Sequence, residues 1–305
     1  MNDSSDVFLG NVELAHVGFV PIATCHWQGM ANILAAHGIA DAHRLFGLSW
    51  GFVWTGGPIL FGGGRWARLL AELIGVVVEE ISVPGGDESE ALETELSRQG
   101  TVFVAEVDAF HLTSAYQDRE HVVHTVIVVE RTPDHAVVVD TMNRPEPVRL
   151  SAVDYGLLRA TPCEGRIDPF KIYVPRGMAT ARVPDAATIA EAVLADLRAQ
   201  APLDLAALDR FIDAYEDMVG PVNVCRAAAE RHQASLLFDR LAEYGVPGAT
   251  TAATALRELS DSWYMIHMLT AHPDATGERQ RRRIGRLLRQ ARANEVRLTA
   301  ALTDS

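Results

Sequence analysis

The chain has 305 residues, 48% of them apolar and 22% charged, and carries a formal net charge of −13. That length predicts two domains, and the acidic balance disfavours generic nucleic-acid binding, which needs basic surface to meet phosphates. No apolar run reaches the roughly 18 residues of a membrane span, and the acidic start Met1-Asn2-Asp3-Ser4-Ser5-Asp6 does not read as a secretion signal. The 3 cysteines, Cys25, Cys163 and Cys225, are scattered and odd in number. That fits a cytoplasmic, reducing setting better than a disulfide framework.

Residues 26–37 carry Trp27, Met30, Ala31 and Leu34 at helical spacing, ended by Gly38. Residues 41–54 hold Leu45, Phe46, Leu48, Trp50, Phe52 and Trp54, followed by Gly56-Gly57-Pro58. A helix is predicted over 65–74, a short strand over 76–82 and an exposed amphipathic helix over 88–98. Strands are predicted at 101–107, 122–130 and 136–140, the last two joined by a turn at Thr132-Pro133-Asp134, with a final strand at 172–174. The stretch from Pro175 to Pro184 reads as a linker. Beyond it the strand signals stop. Helices are predicted at 186–200, 204–218, 221–244, 250–270 and 277–302, split by Pro202, Gly220-Pro221, Gly245 to Gly248 and Pro273. The expected organisation is an α+β domain over 1–175 and an all-α domain over 185–305. Phe211, Tyr215, Trp263, Tyr264 and Met268 on these helices read as core or as a homodimer face.

Cys25 stands directly before an apolar helical stretch, in Ala23-Thr24-Cys25-His26-Trp27. A thiolate is the reactive form of cysteine, and a helix N-terminus and a nearby imidazolium both favour it. Thr24 as N-cap would supply the first. His26 is a poor source of the second, because adjacent helical residues point in different directions. His124 is the better candidate. It opens the strand that runs to Glu130, and the next strand closes on Asp140. Antiparallel pairing of Val129 with His135 would set His124 directly opposite Asp140, on one face with Cβ atoms about 5 Å apart. A carboxylate there holds the imidazole in the tautomer a thiol needs. A slip of one residue would separate the two. Cys, His and Asp in that chain order match papain-like nucleophiles.

His121 and His124 suggest a metal pair only superficially. On a strand an i,i+3 pair points to opposite faces, and no His-Glu-x-x-His or Cys-x-x-Cys accompanies it, so no metal is expected. His121 is assigned a supporting role. Gly62-Gly63-Gly64 lacks the following Gly-Lys-Ser/Thr of a phosphate loop.

The run Cys25-His26-Trp27-Gln28-Gly29-Met30-Ala31-Asn32-Ile33-Leu34, then His37-Gly38, then Phe46-Gly47-Leu48-Ser49-Trp50-Gly51-Phe52, resembles the N-terminal domain of the butirosin biosynthesis protein H family. Val107-Asp108, Tyr116 and His121-Val122-Val123-His124-Thr125-Val126 extend the resemblance over residues 15–175, and the helical remainder is similar in kind to that family's C-terminal domain. The resemblance implies a papain-like cysteine protease fold and acyl transfer from an acyl or peptidyl carrier protein to a small-molecule amine. An acyl group on Cys25 would be the intermediate, His124 the proton acceptor and Asp140 its orienting group, with Thr24, Asp108, Tyr116 and His121 as support. No cofactor beyond the carrier's phosphopantetheine is implied. Arg282, Arg286 and Arg289 on the last helix are the expected docking residues for an acidic carrier. Hydrolysis by the same triad, as a peptidase or thioesterase, cyclisation, and a catalytically silent binding protein are the alternatives. One departure separates this chain from papain-like peptidases: the stretch Phe19-Val20-Pro21-Ile22-Ala23-Thr24 lacks the upstream glutamine that donates to the oxyanion. That favours an activated thioester as the acyl donor.

Overall fold

A computed structural model describes residues 25–39, 41–56, 65–112, 117–119, 121–140, 144–161, 170–215, 217–218, 224–270 and 277–303. The chain divides into two compact units. One takes in Thr24–His43 and Gly75–Ala181, the other Arg44–Ile74 and Arg182–Ser305. Arg44–Ile74 therefore joins the helical unit rather than the α+β domain expected over 1–175. Its aromatic side chains explain why: Phe52 packs on Phe211 and Trp263, with ring centroids 5.4 and 5.8 Å apart, and Trp50 meets Phe238 at 6.1 Å. The Gly51 N–H also donates to the buried Glu230 carboxylate at 3.0 Å.

The first unit is α+β. Its helices are α1 (Cys25–Ala36), α3 (Gly86–Arg98) and α4 (Ala152–Ala160), and α2 (Arg65–Ile74) lies in the other unit. Its strands are β1 (Val77–Ile81), β2 (Phe103–Asp108), β3 (Val123–Arg131), β4 (His135–Asp140), β5 (Arg144–Ser151) and β6 (Ile172–Arg176). They form one 6-stranded sheet in the order β1-β6-β2-β3-β4-β5, with every neighbouring pair antiparallel. Alternation along β2 assigns its two faces. Phe103, Ala105 and Val107 join Val126, Val128, Ala136, Val138, Leu96 of α3 and Tyr155 and Leu158 of α4 in one buried cluster. Val104 and Glu106 point the other way, toward α1, which packs on β2 and β3.

Two elements went unread in the sequence. β5 contains Pro145 and Pro147, which suit a sheet edge because an edge strand leaves half its N–H groups without ladder partners. α4 begins at an N-cap, Ser151, whose hydroxyl accepts from the Asp154 N–H at 3.1 Å.

The second unit contains α5 (Ala186–Tyr215), α6 (Cys225–Glu243), α7 (Ala249–Thr270) and α8 (Glu278–Thr303). The expected break at Pro202 does not occur, and α5 runs through it. Proline removes a single helical N–H, while Val193, Leu197, Ala201, Leu208, Phe211 and Ile212 continue one buried stripe across the position. Phe211, Tyr215 and Trp263 are core, whereas Tyr264 and Met268 are exposed. No described helix is long and apolar enough to cross a membrane.

Candidate active site

Cys25 is the first residue of α1, where the leading N–H groups have no helical acceptors and the macrodipole favours an anion. Gly29, one turn later, lies against the sheet. A Cβ there would come within 3.1 Å of Val104 and 3.6 Å of Ile127, so only glycine allows this approach of helix to sheet. One helical turn covers about the same distance as two strand residues. Stepping back from Gly29 to Cys25 therefore moves from the Val104–Ile127 pair to the next pair on that face, Glu106 and Thr125.

His124 stands close enough to Cys25 to act on its thiol by charge. Burial disfavours the thiolate, but the His124 imidazolium beside it outweighs that cost and holds the thiol below its ordinary range. His124 is 7% exposed. Burial alone would lower its pKa, yet the Cys25 thiolate and the Asp140 carboxylate push it up to about 10. Its Nε2–H donates to Asp140 Oδ1 at 2.9 Å, which leaves Nδ1 for the thiol. Cys25, His124 and Asp140 thus come together in the arrangement expected of a nucleophile, a base and an orienting carboxylate.

The register that achieves this differs from the expected one. Ile127 pairs with Val139 and Val128 with Val138, so Asp140 falls opposite Val126 and diagonal to His124 rather than directly across from it. Near the turn, Glu130 pairs with Val137 and Arg131 with Ala136. Continued without interruption, that odd register would put His124 and Asp140 on opposite faces. A bulge between Val128 and Glu130 absorbs one residue and restores their common face.

The supporting residues form a second pair. Asp108 is 0% exposed and accepts from the Phe110 N–H at 3.1 Å and from His121 Nδ1 at 2.6 Å. The His121 ring stacks on Phe110 at 4.2 Å. His121 and His124 therefore bind different carboxylates. Among the described residues no group of three or more His, Cys, Asp or Glu side chains could hold a metal ion. Thr24 and Tyr116 lie outside the described residues, as does the stretch Phe19–Thr24. Arg282, Arg286 and Arg289 are exposed on α8, with Arg282 paired to Glu278 at 3.0 Å.

Three features of the site were missed in the sequence. His26 stacks on Tyr173 with centroids 4.0 Å apart. The Tyr173 hydroxyl donates to Glu106 Oε1 at 2.7 Å. Gln28 is 6% exposed, and among the described residues neither its Nε2 nor its Oε1 has a hydrogen-bond partner. The available signals were a lone glutamate inside the apolar run Phe103 to Val107 and a glutamine on the buried stripe of α1. A comparison with protein-family models finds no match for the chain, and a comparison with curated proteins finds none either.

Proposed function

We propose that the chain is a cysteine-dependent acyltransferase that takes an acyl group from a carrier-protein thioester and delivers it to an amine. The reading includes a papain-like fold for the first unit and kinship with the butirosin biosynthesis protein H family. The observation that carries it is the convergence of a thiol of lowered pKa, an imidazole of raised pKa and a carboxylate 2.9 Å from that imidazole. A binding protein that had lost catalysis would have no need of a thiolate poised against an imidazolium.

In the first half-reaction the Cys25 thiolate attacks the thioester carbonyl, and the carrier's pantetheine sulfur leaves with the proton from His124. In the second, the amine nitrogen attacks the acyl-S-Cys25 carbonyl. His124 takes the proton that the amine loses, the C–S bond breaks, and Cys25 regains its thiolate as the amide departs. Asp140 keeps the imidazole oriented through both steps. Gln28 is assigned as an oxyanion donor beside the backbone N–H of Cys25. Helical side chains lean toward the N-terminus, which carries the Gln28 amide back over the turn that holds the thiol. An interior amide with no protein partner is costly unless a ligand uses it. Gln28→Leu is therefore expected to stabilise the fold by about 1–3 kcal/mol in urea titration while slowing acyl-enzyme formation about a hundredfold. A loss of stability in that variant would refute the assignment.

The function is tested by incubating the protein with acyl-loaded carrier proteins and reading its intact mass. An acyl adduct that is absent in Cys25→Ala, and that primary amines discharge faster than water does, is the expected result. Discharge at the same rate with and without amines would make the protein a hydrolase. Undiminished turnover by Cys25→Ala would sink covalent catalysis.

A further inference from the structure

We propose that Glu106, held by Tyr173, is the specificity residue of the Cys25 site and selects an acceptor that carries a cationic group beside its attacking nucleophile. The proposal takes the word acceptor from the acyl-transfer reading above. The cation preference stands on its own geometry.

Glu106 is the cross-strand partner of Thr125, and Tyr173, which donates to Glu106, feels the Cys25 charge. Directly opposed residues place their Cβ atoms about 5 Å apart on one face. The carboxylate therefore stands beside the nucleophile, on the face of the sheet that α1 covers. For thiol activation this is the wrong charge: a second anion near a thiolate disfavours ionisation. A neutral residue would serve the triad better.

Among the described residues no cation is recorded in an ion pair with this carboxylate. Tyr173 donates to Oε1 at 2.7 Å, and Oε2 makes no hydrogen bond among the described residues. Burial and the Glu106 carboxylate push the Tyr173 phenol well above its ordinary range, so it remains a neutral donor. The His26 ring stacked on Tyr173 fixes that phenol from the α1 side. Lys171 Nζ pairs with Glu80 at 2.8 Å. Arg159 reaches the Glu106 backbone carbonyl, but its guanidinium is paired with Glu93 at 2.9 Å. His124 already faces the thiolate and Asp140. The Glu106, Asp140 and thiolate charges thus face the His124 imidazolium, and Glu106 is half-buried, where its charge is less screened than in open water yet a ligand can reach it. An ammonium is the complementary group. A diamine, with one amino group free to attack and a second held as ammonium on Glu106, meets the site's chemistry.

Cys25 itself reports the local charge without any acyl donor. Methanethiosulfonates transfer their alkylthio group to a thiolate, forming a disulfide and releasing a sulfinate. Rates for the cationic 2-aminoethyl reagent and the neutral methyl reagent are to be measured at Cys25 by peptide mass, each referenced to N-acetylcysteine amide. The neutral reagent cancels the thiol's own reactivity and verifies that each variant is folded at the site. Wild-type protein is expected to favour the cation by about tenfold, and Glu106→Gln to lose that preference. Tyr173→Phe should retain it only in part. An unchanged ratio in Glu106→Gln, or no preference in the wild type, would overturn the proposal.

With protein acylated at Cys25, Glu106→Gln should then raise KM for 1,4-diaminobutane and leave that for n-butylamine in place. If the reagent ratio collapses but no amine discharges the acyl group, acyl transfer fails and the cation site stands. If amines discharge the acyl group without any cation preference, acyl transfer stands and this proposal fails.

Discussion

His124→Ala is expected to lower the alkylation rate of Cys25 at pH 7 severalfold or more and to change the shape of its pH profile. In the wild type the thiol pKa is lowered and that of His124 is raised to about 10. Between those two values the site is a thiolate–imidazolium pair, so the rate of reaction with iodoacetamide should level off at a lower pH than for an ordinary thiol and stay flat to about pH 9. An ordinary thiol is only a few per cent ionised at pH 7, so the loss once the imidazolium is gone grows with how far His124 lowers the thiol. Burial then raises the thiol further, and the rate in the variant should climb steeply through pH 8 to 10. Cys225, whose thiol burial alone pushes up, serves as the internal contrast and should show the climbing profile in both proteins. The same pair links pH to stability. The His124 contribution is fully present below its unfolded value near 6.5 and is lost as pH rises through about 10. The Cys25 contribution has the opposite sign: it is present above the ordinary thiol value of 9.0 and is lost as pH falls through the lowered folded value. A wild-type profile that climbs like that of Cys225 would refute the ion pair.

Much of this site was legible because it is built from local rules. A thiol at a helix start, a histidine at a strand start and an aspartate at the next strand's end each announce themselves in the sequence. Their common face was also legible, since face depends only on the parity of the register. The register itself was not. Parity survived because two deviations combine to an even shift: Thr132 pairs with His135 around a tighter turn than expected, which offsets the register by an odd number, and the bulge before Glu130 takes one residue back. A bulge is a compromise between turn geometry and burial on the same strand, and no single residue signals it. Glu106 and Gln28 were illegible for another reason. Their meaning comes from what meets them, Thr125 and Tyr173 for the glutamate and no hydrogen-bond partner among the described residues for the glutamine, and sequence spacing carries no such information. The allegiance of Arg44–Ile74 was hidden in the same way, because its aromatic run fits either core by composition.

Glu93 shows how far a helix-surface reading can miss, and it sets the largest expected stability effect in the first unit. Residues 88–98 read as an exposed amphipathic helix, and most of their charges are indeed solvated. Glu93 is 1% exposed. Its carboxylate accepts from Arg159 Nη2 at 2.9 Å and Nε at 3.1 Å, from the Tyr155 hydroxyl at 2.8 Å and from the Ser89 hydroxyl at 2.8 Å. Arg159 extends the network to the Glu106 and Lys171 carbonyls, so a single guanidinium ties α3 and α4 to the backbone of the strand that presents Glu106. Burial and the nearby Glu93 charge drive the Tyr155 phenol far above its ordinary value, which keeps it a donor at any working pH. Glu93→Ala leaves a 2%-exposed arginine without its counter-ion in an apolar cluster, and the expected cost is about 3–5 kcal/mol. At roughly 2–4 °C per kcal/mol for a unit of this size, the melting transition should fall by about 10 °C. Scanning calorimetry checks this. The paired variant Glu93→Leu/Arg159→Leu should recover much of the loss, because an apolar pair carries no desolvation cost, whereas Arg159→Leu alone should resemble Glu93→Ala. If the double variant is as unstable as the sum of the singles, the network is not the coupled unit that its geometry describes.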